Sequence, residues 1–167
     1  MSKTLLLLDG ANLMQRARFS SRRNLKGKEN AIIYSFQVIL ELLQHLPVTT
    51  VRHPLHEADD VIGHYALDGD WERRVVVSSD SDFIQLLNND SRVEVYNPIT
   101  KKYREAPCND YVGWKALVGD SSDNIEGFHG VGNKTALKLL ESHNKLSEFL
   151  TKHEGYAKYQ CNRELVA

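Results

Sequence analysis

Eight carboxylates in four short clusters are the residues of this chain best placed to do chemistry. They are Asp9 in LLLLDGAN, Glu57, Asp59 and Asp60 in HEADDVIG, Asp80 and Asp82 in VVVSSDSDF, and Asp120 and Asp123 in GDSSDN. Each cluster falls where a strand or helix should begin or end. Acids gathered in one crevice repel one another, so such a crevice persists only if protons are retained or cations neutralise it. Oxygen-only donor sets suit Mg²⁺ or Mn²⁺, and paired Mg²⁺ ions are the usual apparatus for hydrolysing phosphodiesters. Taken singly, Asp9, Asp80 or Asp120 is equally well explained as a loop carboxylate or a helix cap. Taken together, the four clusters favour metal binding, with Asp60 placed to support Asp59 as readily as to coordinate.

The elements that must position these acids follow from hydrophobic patterning. Thr4–Leu8 reads as a buried strand ended by Asp9-Gly10. From Asn30 to Leu46 the apolar residues Ile32, Phe36, Ile39 and Leu43 repeat at helical spacing, and Pro47 closes the helix. Val48–Arg52 reads as a short strand, and Glu57–Leu67 as a helix whose leading acids suit the dipole. Arg74–Ser78 is a β-branched strand, Phe83–Leu87 a helix and Val93–Tyr96 another strand. Asn97-Pro98 then turns the chain before the basic segment Lys101–Arg104. Alternating strands and helices over residues 1–106 predict a parallel sheet with helices on both faces.

Ligands of such a sheet bind at the carboxyl ends of its strands, where Asp9, Asp80 and Asp82 fall. Residues two apart in an extended segment share a face, so Asp80 and Asp82 point together while Ser81 turns away. Glu57 and Asp60, three apart, are helix neighbours, and the same spacing relates Asp120 and Asp123. Residues 107–167 change character and predict a helical subdomain, interrupted by the glycine-rich run Gly127 to Gly132.

That run belongs to a second constellation, Phe128-His129-Gly130-Val131-Gly132-Asn133-Lys134-Thr135-Ala136. Glycines flanking a small apolar residue, with Lys-Thr opening a helix, make a turn whose amides face outward. Backbone donors and the positive helix terminus then bind phosphate without reading bases. Lys138, one turn beyond Lys134, follows the same backbone. An ordinary turn between packed helices is the simpler alternative, but it has no need of GxG-N-K-T.

Composition sets the limits. The chain has 167 residues, 41% hydrophobic and 26% charged, as in a soluble globular domain. Its net charge is −1, yet setting the eight clustered acids aside leaves 14 Asp and Glu against 21 Lys and Arg. The remaining surface is therefore basic, as a polyanion binder requires. Arg16 to Lys28 concentrates part of that charge without apolar periodicity and reads as a basic loop or frayed helix. No segment reaches membrane-spanning length, and Leu5–Leu8 is too short for a signal peptide, which predicts a cytoplasmic protein. Cys108 and Cys161 make neither a disulfide framework nor a zinc site. His53, His56 and His64 lack metal-ligand spacing.

DGAN with Leu13 and Arg16, then EADDVIG, SSDSDFIQLL and GDSSDNIEGFHGVGNKTALKLL, resemble the 5′-3′ exonuclease and flap endonuclease family. That family includes the N-terminal nuclease of bacterial DNA polymerase I and stand-alone phage and bacterial enzymes. The likeness spans nearly the whole chain, as far as Arg163-Glu164-Leu165-Val166. It implies a PIN-like, Rossmann-like α/β core followed by a helix-hairpin-helix subdomain. It also implies a site for two Mg²⁺ or Mn²⁺ ions carried by Asp9, Glu57, Asp59, Asp80, Asp82, Asp120 and Asp123, with Asp60 adjacent. Those metals would activate a water against a phosphodiester near a 5′ end, nick or flap.

Arg16, Gly130, Gly132, Asn133, Lys134, Thr135 and Lys138 would hold duplex DNA. The main-chain carbonyls of Phe128 and Val131 would order a K⁺. The expected partners are DNA and a DNA polymerase, and the chain is expected to be a monomer, in a host cytoplasm if phage-encoded.

One departure is visible. Relatives insert a further strand ending in Asp, and a Lys- and Arg-rich helical arch, before the strand preceding EADD. Here the helix ending at Leu46 runs through Pro47 directly into Val48–Arg52, so that acid and the arch are absent. A weakened or inactive DNA-binding protein of the same ancestry is therefore the alternative to a nuclease. A PIN-type ribonuclease is a third reading, which the GVGNKT hairpin disfavours.

Overall fold

The computed structural model describes residues 3–15 and 38–167. Arg16, the basic loop it opens, and Ile32 and Phe36 of the first expected helix lie outside the described residues. The chain divides into two compact units: Met1–Phe83 with Arg92–Tyr103, and Ile84–Ser91 with Arg104–Ala167.

The first unit is built on a four-stranded sheet. Strands β1 (Thr4–Leu8), β2 (Arg73–Val77) and β3 (Val93–Asn97) run parallel in that order, and β4 (Lys102–Tyr103) pairs antiparallel with β3. Leu8 faces Val77 and Val77 faces Tyr96 in register, so β1 and β2 end side by side. Val75, Val76, Val93 and Val95 are buried, which a β-branched strand covered on both faces favours. Helix α1 (Ala58–Leu67) buries Ile62 and Ala66 and lies against β1 and β2.

Four expectations change here. The expected strand Val48–Arg52 does not form: residues 48–53 take no regular structure, and 48–60 are all exposed. Its β-branched sequence pairs with none of the described strands, and propensity alone does not make a strand. The helix expected to reach Leu46 stops at residue 43, because His45 and Leu46 donate to Leu42 and Leu43 in a tighter turn before Pro47. The basic segment Lys101–Arg104 carries β4, placed there by a turn in which Asn97 Oδ1 accepts from the Ile99 and Thr100 amides. The sheet is therefore mixed rather than wholly parallel. The expected helix Phe83–Leu87 is a 3₁₀ turn, Asp82–Gln85, running into the short α2, Leu86–Asn89.

The second unit is mainly helical. It comprises α3 (Tyr111–Val118), α4 (Asn133–Leu140), α5 (His143–Lys152) and α6 (Tyr156–Val166). Ala116, Leu117, Val131, Ala136, Leu150 and Tyr159 form its core. Between α3 and α4 lies a ribbon absent from the sequence expectation, β5 (Gly119–Asp120) paired with β6 (Ile125–Glu126). Gly119 has φ +86°, and a Cβ there would lie 2.4 Å from the Gly127 amide nitrogen, so only glycine fits. Asn162 is buried and its Nδ2 donates to the carbonyls of Ala116 and Glu126, both at 2.9 Å, fixing α3, β6 and α6 together.

Candidate metal and nucleic-acid sites

Asp9 is the anchor of the first unit. It follows β1 directly, is buried, and accepts from the Asn12 amide through Oδ1 at 2.9 Å and from Ser78 Oγ through Oδ2 at 2.7 Å. The first bond caps the helical turn over residues 10–15, as an aspartate before a helix should. The second reaches the first residue beyond β2. Ser78 Oγ in turn accepts the Asp80 amide at 3.0 Å, and Asn12 Oδ1 accepts Ser79 Oγ at 2.6 Å. Residues 69 apart in sequence are thus locked together at the carboxyl ends of two parallel strands.

The Asp80–Asp82 pair is not displayed by an extended segment. Strand β2 ends at Val77, and the Asp82 amide donates to Asp80 Oδ1 at 3.1 Å in a turn that starts the 3₁₀ helix. Asp80 is exposed while Ser81 and Asp82 are half-buried, so the alternation expected of a strand does not apply.

Glu57, Asp59 and Asp60 stand exposed at the N-terminus of α1. Glu57 is the N-cap, and it forms a capping box with Asp60, whose Oδ2 accepts the Glu57 amide at 3.2 Å. Asp60 Oδ2 also lies 3.7 Å from His56 Nδ1. The helix-capping explanation therefore holds for two of these acids, and it leaves Asp59 beside them in the first turn.

In the second unit Asp120 ends β5. Its Oδ2 pairs with Lys115 Nζ, and its Oδ1 accepts both the Ser122 amide, at 2.8 Å, and Ser122 Oγ. Burial pushes the Asp120 carboxyl up, but the Lys115 ammonium and the Ser122 donors outweigh burial and hold it well below the usual carboxylate range. Asp123 Oδ2 lies 3.8 Å from the same ammonium. Ser78, Asn12 and Lys115 were all missed in the sequence. A signal for Lys115 existed, since it is the one charge in the otherwise apolar helix YVGWKALV, five residues ahead of an aspartate.

A turn forms where the glycine pattern predicts one. The Val131 amide donates to the Phe128 carbonyl at 3.0 Å, closing a turn in which Gly130 has φ +76°. The Val131 side chain plugs the core of the second unit. Gly132 caps α4, and Asn133, Lys134 and Thr135 form its exposed first turn, with Lys138 exposed one turn on.

Acid-bearing strand ends in an α/β unit, followed by a helical unit with an exposed glycine hairpin, define a class built from a resolvase-like core and an appended helical fold. The chain belongs to the 5′-3′ exonuclease family. That family's N-terminal resolvase-like domain matches residues 26–113, and its C-terminal SAM fold matches residues 106–167. A 5′-3′ exonuclease of Buchnera aphidicola subsp. Schizaphis graminum is 35% identical over 130 residues, covering 72% of this chain and 45% of that protein. The thermostable DNA polymerase I of Thermus thermophilus is 37% identical over 124 residues, covering 68% of this chain and 14% of that protein. The chain thus spans less than half the length of these relatives. A bacteriophage T5 flap endonuclease, solved with DNA and metal ions, matches with TM-score 0.65 and 18% identity over 98% of this chain and 86% of that one. At that identity the match speaks for the fold.

Among the described residues, no helix is long and apolar enough to cross a membrane.

Proposed function

We propose that this chain is a divalent-metal-dependent 5′-3′ exonuclease and structure-specific flap endonuclease that hydrolyses DNA with two Mg²⁺ or Mn²⁺ ions. The observation that carries this reading is the Asp9–Ser78–Asp80 linkage at the ends of β1 and β2, in a chain of the 5′-3′ exonuclease family. The donors fit the ions. They are all oxygen, and each Asp9 oxygen accepts one hydrogen bond, which leaves lone-pair capacity for a hard cation. Asp9, Glu57, Asp59, Asp80, Asp82, Asp120 and Asp123 are the proposed ligands, with Asp60 adjacent. The ions would supply Lewis-acid polarisation of the phosphate and a lowered pKa for water.

The chain's own residues do the rest. Ser78 and Asn12 fix the orientation of the Asp9 carboxylate without cancelling its charge. The amides of Gly130, Gly132, Asn133, Lys134 and Thr135, with the side chains of Lys134 and Lys138, grip backbone phosphates of duplex DNA, and Arg16 adds a further contact. A K⁺ at the carbonyls of Phe128 and Val131 would bridge the hairpin to the same backbone. The substrate is DNA with a 5′ end, nick or flap. Such ends arise beside a DNA polymerase, which is the proposed protein partner of a monomeric chain.

The test is digestion of 5′-labelled duplex and flap DNA with Mg²⁺ or Mn²⁺. Wild type releases short products and Asp82→Asn does not; equal, negligible release by both overturns the reading. The tight turn at residues 44–45, leading into an exposed segment with no intervening strand or acid, favours a second reading. In it the chain binds DNA junctions but cuts poorly, binds more weakly as salt rises, and holds one metal ion or none. Calorimetry showing two Mg²⁺ per chain with DNA present counts against that second reading.

A further inference from the structure

Lys115 places a cation where burial makes one costly. It sits on α3 between Trp114 and Ala116, only 4% exposed. Its Nζ pairs with Asp120 Oδ2 and lies 3.8 Å from Asp123 Oδ2. A buried ammonium persists only when paired, and removing its partner leaves an uncompensated charge. Ser122 completes the arrangement by donating its amide and hydroxyl to the other Asp120 oxygen. The pair of acids assigned to a metal ion above is therefore already served by a cation from the chain itself.

We propose that Lys115 is the resident counter-cation of the Asp120–Asp123 pair and holds down its affinity for divalent ions in the DNA-free protein. The inference rests on the metal-binding reading of these two acids. Two carboxylates present a charge of −2, and the ammonium brings the sum of these three groups to −1. A divalent ion entering there meets one positive neighbour at ion-pair distance. It must then share the carboxylates with that neighbour or displace it from them. Coulomb repulsion of this kind, screened as it is near a protein surface, is worth a factor of about ten or more in binding. The long flexible stem of lysine also lets its head move aside more easily than a planar guanidinium could.

The experiment is a Mn²⁺ titration of the full chain without DNA, with free Mn²⁺ read by electron paramagnetic resonance. Lys115→Met, which keeps the stem and removes the charge, is expected to bind Mn²⁺ about tenfold more tightly or better than wild type. Asp120→Asn placed in that background removes the gain, and Lys115→Arg stays close to wild type. Asp120→Asn in the wild-type background is expected to cost less affinity than it does in the Lys115→Met background, because the ammonium already holds part of the pair. Unchanged or weaker binding by folded Lys115→Met overturns the inference and leaves the metal reading standing. Equal losses on Asp120→Asn in the two backgrounds do the same, and Lys115→Gln takes the place of Lys115→Met if the latter does not fold. Binding of Mn²⁺ by none of these proteins overturns the inference and the metal reading together.

Discussion

Asp9 in the first unit and Asp120 in the second are both aspartates directly at a strand end, and their partners differ in kind. Asp9 is held by neutral donors, the Asn12 amide and the Ser78 hydroxyl. Asp120 is held by Ser122 and by the buried ammonium of Lys115. Neutral donors orient a carboxylate and leave its full charge for a cation, whereas an ammonium orients it and cancels that charge. One strand end thus keeps the full charge of its carboxylate, and the other already contains a counter-ion. The same residue type in the same kind of position is assigned different electrostatic work by its neighbours.

The largest effect expected to sharpen this contrast comes from Asp9 itself. Asp9→Asn should lower the initial rate on a 5′-labelled flap by more than the about 10–100-fold that loss of an outer-shell partner costs. Ser78→Ala should fall within that about 10–100-fold range, since the ligand survives but its orientation does not. Circular dichroism should show Ser78→Ala still folded, and a loss for Ser78→Ala as large as that for Asp9→Asn would break the distinction between ligand and orienter.

A smaller effect is expected at the hairpin. Lys134→Ala should weaken DNA binding similarly for all sequences and reduce the slope of log affinity against log salt by about one. Sequence-dependent loss would show that Lys134 reads bases, contrary to the arrangement proposed for the hairpin.

The smallest is an acid dependence confined to the second unit. Asp120 has its folded-state pKa depressed, mainly by Lys115 and Ser122 working against burial. A depressed carboxylate contributes stability that is fully present above its unfolded pKa of about 3.9, and that is lost as pH falls below it toward the folded value. Thermal unfolding followed from neutral pH to below about pH 4 should therefore show an acid loss in wild type that is reduced in Asp120→Asn. An identical acid limb in both proteins would mean that the Lys115 pair does not stabilise the fold.

The acid clusters, the β-branched strands and the glycine hairpin were legible because each is a local pattern. Val75 and Val76 sit in a run of valines, Asp9 follows four leucines, and Gly130 sits where a turn needs a positive φ. Elements that depend on a partner were less legible. Val48–Arg52 reads as a strand but pairs with none of the described strands, whereas Lys102–Tyr103 looks merely basic yet pairs with β3. The Asp80–Asp82 geometry was misjudged because a side chain, Asp80, competes for the Asp82 amide and turns the chain out of the strand.

Periodicity and turn chemistry act within a few residues of one another, so the amino-acid order alone determined β1 to β3, the helical character of the second unit and the hairpin turn, and that strand ends carry acid. The charge state of each acidic site was decided only by folding, because Ser78 reaches Asp9 across 69 residues and Lys115 meets Asp120 by the reversal of the chain at Gly119. Electrostatic interaction depends on distance through space and on burial, and neither quantity is written in the spacing along the chain.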